Sequence, residues 1–202
     1  KGFWHSLFKA TRDLQNNIYQ KLSWLLIIAS VPGAIIGKLL ESQAESAFRT
    51  PILIAVTLSV MGLVLLVVDS RSKKIKDLAH ISKTDALLVG LSQALAIIPG
   101  VSRSGGTMTA GLLLGFKRAD IAKFSFLMSI PITFGAGLLK INDFGVGVTS
   151  AQLAIGFVTA AVFGFLSIKY LLNYLAKHDF KIFVWYRLVF AGLILAVYIF
   201  RS

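Results

Sequence analysis

The sequence predicts an all-α, polytopic integral membrane protein, a helical bundle that includes a re-entrant helix-loop-helix hairpin. Three observations lead there. Of the 202 residues 56% are hydrophobic and 15% charged, and the mean hydropathy is +0.77. The charges gather in short clusters between long uncharged runs. One apolar stretch, 86–116, is interrupted by glycines, serines and a single arginine. A bilayer crossing takes about 20 mostly apolar residues, with latitude for tilt and snorkelling ends. The runs 22–37, 51–68, 124–139, 151–168 and 182–200 meet that requirement, the last holding Arg187 as its one charge. No linker or low-complexity tract divides the chain, so 1–202 reads as a single membrane domain.

Loop charges set the order of crossings, because cytoplasmic loops are enriched in Lys and Arg. Residues 1–21 carry Lys1, Lys9, Arg12 and Lys21, and the loop after the first span carries Lys38 and Arg49. The amino end is therefore predicted inside. Residues 1–21 also lack the apolar core of a signal peptide, and a chain opening on Lys1 reads as beginning partway through a longer protein. After the second span come Arg71, Lys73, Lys74, Lys76 and Lys83, again inside. If 86–116 crossed once, Lys117, Arg118, Lys123, Lys169, Lys177 and Lys181 would all lie outside. If it enters, breaks at 99–106 and returns, these clusters all fall inside, so the hairpin is the better topology. Pro32 and Pro131 follow Ser-Val and Ser-Ile inside the first and third spans, where a proline frees a carbonyl and bends a helix.

The net charge of +12 does not point to nucleic acid, because the basic residues sit in loops between apolar helices. Retention on the cytoplasmic side and contact with anionic membrane lipids account for them. With no cysteine, disulfides, thiolate metal sites and a cysteine nucleophile are excluded.

The break in the hairpin carries the chemistry. It reads Ala96-Ile97-Ile98-Pro99-Gly100-Val101-Ser102-Arg103-Ser104-Gly105-Gly106-Thr107. Backbone that leaves the helical form at membrane depth is tolerated only where it is buried in protein or lines a cavity, and an ionised side chain there is a functional-site candidate by default. Arg103 can give a phosphate two parallel charge-assisted hydrogen bonds. The half-helix starting near Ser104 can aim free N–H groups and its positive end at the same anion. Gly105 and Gly106 permit close approach, and Ser102, Ser104 and Thr107 can donate hydroxyl protons. The competing structural role is an arginine that caps carbonyls in a broken helix.

What is missing is informative too. All nine acidic residues lie in loops or at helix ends, and His5, His80 and His178 lie in basic loops. Phosphoanhydride hydrolysis wants a base, an acid or a carboxylate-held metal, so these residues make half a site and supply no metal ligands. Gln93 either hydrogen-bonds substrate or bridges helices. Arg187 faces the bundle or snorkels, and Tyr186 beside it suits an interface anchor. No Walker pattern occurs, and Thr109 stands where the acid-phosphatase-like lipid phosphatases carry the histidine of Ser-Arg-x5-His.

At these residues the sequence resembles the bacterial undecaprenyl-diphosphate phosphatase family, also called the bacitracin-resistance protein family. The match runs from Gly90-x-x-Gln93 through ALAIIPGVSRSGGT and Gly115, then Lys123-Phe124-Ser125-Phe126-Leu127-Met128-Ser129-Ile130-Pro131, and on to Tyr186-Arg187. The resemblance implies an enzyme of two inverted repeats, each a re-entrant hairpin followed by three spans. It would hydrolyse undecaprenyl diphosphate to undecaprenyl phosphate in the bacterial inner membrane, recycling the lipid carrier for peptidoglycan synthesis and conferring bacitracin resistance. Ser102, Arg103, Ser104, Gly105 and Thr107 match its arginine-containing phosphate motif, Arg103 being the catalytic candidate. The family's other motif, two glutamates followed by a serine pair and a histidine, has no counterpart here, and its first hairpin and first span are expected to be absent. A divalent cation, Mg or Ca, is implied with ligands outside this chain, so the 202 residues alone are expected to be inactive. The implied partners are the polyprenyl diphosphate substrate and membrane lipids, and assembly as a homodimer is compatible with all of this. The alternative class is a transporter or flippase for an anionic or phosphorylated lipid, since broken helices around a midplane site also hold anions in transporters.

Overall fold

The computed structural model describes residues 18–40, 50–139, 147 and 149–201. Seven α-helices form among them: α1 (Ile18–Leu39), α2 (Pro51–Arg71), α3 (Lys83–Ala94), α4 (Arg103–Leu113), α5 (Arg118–Leu139), α6 (Ser150–Leu175) and α7 (Lys181–Arg201). Short 3-10 turns lie at Leu78–His80 and Leu95–Ile97. No strand occurs among the described residues. Five helices, α1, α2, α5, α6 and α7, are long and apolar enough to span a membrane, and they are the five runs the composition singles out.

Local chemistry fixes the helix starts. Pro51 opens α2, where its missing N–H costs nothing. Ser82 and Asp85 form a reciprocal capping box at α3, as do Thr149 and Gln152 at α6. Both prolines lie inside continuous helices. Each is preceded by a serine whose Oγ donates to an upstream carbonyl, Ser30 to Leu26 at 2.7 Å and Ser129 to Phe126 at 2.6 Å.

The short helices α3 and α4 form the centre. The first packs against α1, the second against α2 and α5, while α7 lies along α2 and α6 rests on α5. Gly90 lets α3 approach α1 so closely that a Cβ there would collide with the Ala29 backbone carbonyl. Leu26, Val89, Leu112, Phe116, Phe124 and Met128 fill the interior between these helices. On α6 only Leu175 is buried, and Phe157, Phe163 and Phe165 are exposed. Such an apolar surface requires lipid or another helix around it.

One end of the bundle is held by ion pairs. Asp69, buried at the end of α2, accepts from Arg118 Nε at 2.6 Å, Arg118 Nη2 at 3.1 Å and the Phe180 N–H at 3.2 Å. It thereby joins the end of α2, the start of α5 and the turn into α7. Close by, the Lys76 N–H donates to Gly115 O and the Lys117 N–H to Lys76 O, at 2.9 and 3.0 Å. Residues 76 and 116 thus lie side by side, and everything between them departs from and returns to the same end. The basic clusters 71–76, 117–118 and 177–181 meet there, as the loop-charge argument expects.

Removing the Asp69 carboxylate leaves Arg118 half-buried and unpaired, a loss of about 3–5 kcal/mol for a broken buried pair. Asp69→Ala is expected to lower the thermal unfolding midpoint in detergent strongly, and Asp120→Ala in the neighbouring turn to have little effect. Asp85 gives a pH dependence. Burial pushes its carboxyl up, but donors from Lys76 and from the Ser82 hydroxyl and N–H outweigh this and hold it below the usual carboxylate range. A carboxyl depressed in the folded state contributes stability that is complete above its unfolded pKa of about 3.9 and is lost as pH falls through the lower folded value. The midpoint should therefore drop below about pH 4, and Asp85→Asn should flatten part of that drop.

Candidate anion-binding site at the start of α4

The chain leaves α3 through the 3-10 turn at 95–97 and crosses to α4 in five residues. Gly100 adopts φ +89, and a Cβ there would strike Thr57 of α2. Thr57 Oγ1 donates to Pro99 O at 2.6 Å, fixing the loop to α2. Sequence reasoning sets the break at 99–106 with the second half-helix starting near Ser104, and α4 begins at Arg103. The cause is Ser102: as N-cap its Oγ accepts the Gly105 N–H at 3.2 Å, and its carbonyl accepts the Gly106 N–H at 2.8 Å. Gly105 and Gly106 are therefore buried members of the first helical turn. The N–H groups of Arg103 and Ser104 have no acceptor among the described residues.

Arg187 reaches this helix start. Its stem crosses α2 at Gly62, where a Cβ would stand 3.7 Å from its Cβ and Cδ, and its guanidinium lies against Gly105, where any Cβ would meet Nη2. The Nη1 nitrogen is buried with no hydrogen-bond partner. Of the two placements the sequence allows, the structure has Arg187 facing the bundle. A cavity of about 300 Å³ opens here. Ser102, Ser104, Gly105 and Arg187 form its polar end, and Leu65, Met108, Phe180 and Phe183 are among its apolar walls.

Arg103 is partly buried and leaves α4 on another flank. It stands two positions before Gly105, about 200° around a helix, and it does not line the cavity that Arg187 enters. No ion pair among the described residues includes Arg103 or Arg187.

Two expected site residues lie elsewhere. Thr107 is fully buried, and its Oγ1 bonds to Arg103 O and Ser104 O at 3.1 Å and to Ser125 Oγ of α5 at 2.7 Å. Inside a helix a threonine hydroxyl finds carbonyls one turn back, so this one ties α4 to α5 and does not face the cavity. Gln93 is 5% exposed, with neither amide atom bonded. Its Nε2 stands 2.5 Å from where a Cβ of Gly33 would lie, so it faces α1 and is separate from the site at Ser102–Gly105. Arg187 is the residue that sequence reasoning left outside the site. The available signal was its position as the one charge in 182–200.

Among the described residues no three His, Cys, Asp or Glu side chains cluster as a metal site held by protein alone would require. A larger cavity, about 850 Å³, lies at the ion-paired end among Arg71, Lys73, Lys76 and His80, and neither Arg103 nor Arg187 lines it.

Comparison with known proteins gives the same direction. The family model of bacitracin resistance protein BacA matches residues 1–193. A protein of Pelotomaculum thermopropionicum named undecaprenyl-diphosphatase is 52% identical over 177 residues, 88% of this chain and 67% of the relative. Proteins of the same name from Moorella thermoacetica and Elusimicrobium minutum are 52% and 45% identical, covering 88% and 95% of this chain and 68% and 74% of their own lengths. With that match extending through the α4 motif and Arg187, the chain belongs to the bacitracin resistance protein BacA family.

Proposed function

We propose that this protein is an undecaprenyl-diphosphatase, an integral membrane hydrolase that converts undecaprenyl diphosphate to undecaprenyl phosphate and so recycles the carrier for peptidoglycan synthesis and confers bacitracin resistance. The observation that carries the reading is the buried, unpartnered Nη1 of Arg187 at the start of α4. A cation beside the positive end of a helix, with two free N–H groups and apolar walls, is unfavourable until a multiply charged anion occupies the space. A diphosphate linked to an apolar chain satisfies both the polar end and the walls.

The segment 86–116 acts in this reading as a re-entrant hairpin of the bacterial inner membrane. With 11 residues in α4, its start lies about 16 Å from its charged end, near the middle of a hydrocarbon layer about 30 Å thick. Arg187, reaching the first turn of α4 from α7, is assigned one phosphoryl group, and Arg103, on the other flank of that turn, is assigned the second. Ser102 and Ser104 donate from their hydroxyls, and Gly105 admits the Arg187 guanidinium. As the P–O–P bridge breaks, negative charge grows on the departing oxygen and on the attacked phosphorus group, and donors already in place stabilise it. The described residues offer no carboxylate or imidazole beside Arg103 or Arg187. Activation of the attacking group is therefore assigned to residues other than these, in keeping with the glutamate and serine motif that the family resemblance implies.

Arg103→Ala in the full-length protein should reduce phosphate release from undecaprenyl diphosphate in micelles by about two to three orders of magnitude, and Arg103→Lys by most of that, since an ammonium cannot reproduce the bidentate fork. Arg187→Ala should lose a comparable amount. Near-normal turnover of these variants would reject the double clamp. Gly105→Ala, whose new methyl displaces the Arg187 guanidinium, should cut turnover about tenfold while leaving the unfolding midpoint within a few degrees.

A further inference from the structure

The cavity at Arg187 does not end at its apolar wall. Phe183 and Tyr186 also line a second hollow of about 410 Å³ together with Tyr174 and Ile182. The two hollows thus share these two side chains of α7 as lining. The outer hollow lies between α7 and the last turns of α6, and Leu171 of α6 lines the inner one. Tyr174 closes its end by an edge contact to Phe183, centroids 5.9 Å apart at 83°. Since α6 carries no buried residue before Leu175, this groove opens to the surroundings of the described helices, and so apolar a surface on a membrane-length helix requires lipid or another helix against it.

We propose that this groove between α6 and α7 is the seat of the substrate's isoprenoid tail, which enters it sideways from the membrane. The inference rests on the diphosphatase reading and adds the path of the chain to it. The shape favours a prenyl diphosphate over an ordinary phospholipid. Ser102, Ser104 and a guanidinium with a buried, unbonded Nη1 line a cavity of only about 300 Å³, which suits a phosphate joined to a single chain. A phospholipid branches into two chains at a glycerol directly behind its phosphate. Aromatic side chains at the throat, Phe180, Phe183 and Tyr186, give a methyl-branched, unsaturated chain broad flat surfaces to pack on.

The test compares long and short substrates that share one head group. With the full-length protein, kcat/KM is measured for undecaprenyl diphosphate and for farnesyl diphosphate in Phe183→Ala, which widens the throat, and Leu171→Trp, which fills the groove. Lost or misfitted apolar contacts of this size discriminate by about tenfold, so the long-to-short ratio should fall about tenfold in each variant. A ratio unchanged, whether both substrates are unaffected or both are lost equally, overturns the proposal. A second measurement does not depend on turnover or on either variant folding. A photoreactive long-chain prenyl monophosphate should label the unaltered protein within residues 171–186, and undecaprenyl phosphate should compete it away. Equal competition by phosphatidylglycerol would make this an ordinary lipid groove and overturn the assignment. Labelling retained by a protein that releases no phosphate from either diphosphate would reject the diphosphatase reading and leave the tail groove standing.

Discussion

A helix that starts inside an apolar bundle brings its first N–H groups to a place where water does not compensate them, and much of this structure answers that constraint at α4. Ser102 satisfies one of the four groups through its hydroxyl, and its carbonyl accepts the first regular helical bond, from Gly106. Those of Arg103 and Ser104 stay without an acceptor at a site that also receives Arg187. The glycines of the first turn are needed because neighbours come this close: Arg187 over Gly105, and the Ser92 carbonyl 3.3 Å from where a Gly106 Cβ would stand. Substituting the loop would disturb α2 as well, since Gly100 and Pro99 rest on Thr57.

The charges divide by position in a way that separates structure from chemistry. At the end where the hairpin returns, Asp69 pairs with Arg118, Asp85 with Lys76, and Asp77 with Lys117. The first is nearly enclosed and holds three elements together. The last is exposed and worth little by itself. At the opposite tip, two guanidinium groups approach one helix turn without an acid among the described residues. Buried cations are ordinarily neutralised by a fixed partner. Leaving them open at the tip, while the same residue types are paired at the base, is what a site for a mobile anion requires.

Much of this was legible in the sequence, for identifiable reasons. Five membrane-length helices follow from run length, and the broken stretch forms two short helices joined by a loop, with Lys76 lying beside Phe116. Arg103 stands out because a lone charge between apolar runs is rare. The start of the second half-helix near Ser104 was legible as well, and a single N-cap serine sets it at Arg103. Two things were not legible. Thr107 resembles Ser102 and Ser104 in chemistry but lies one turn inside α4, where the bundle encloses it. Arg187 is as visible as Arg103 in composition, yet its contact with Gly105 joins helices far apart in the chain, and no spacing rule reports such a contact.

Gln93 shows where an apolar bundle tolerates an exception. Its amide is enclosed against α1 beside Gly33, with no partner for either atom. Pro32 next to that glycine cannot donate to the carbonyl one turn back, so an acceptor without its usual helical donor belongs to the same stretch of α1. The close α1–α3 contact that Gly90 and Gly33 permit therefore has a polar element within it. The same hairpin carries a polar residue toward α1 from its first helix and an anion site from its second, and both depend on glycines where the helices meet.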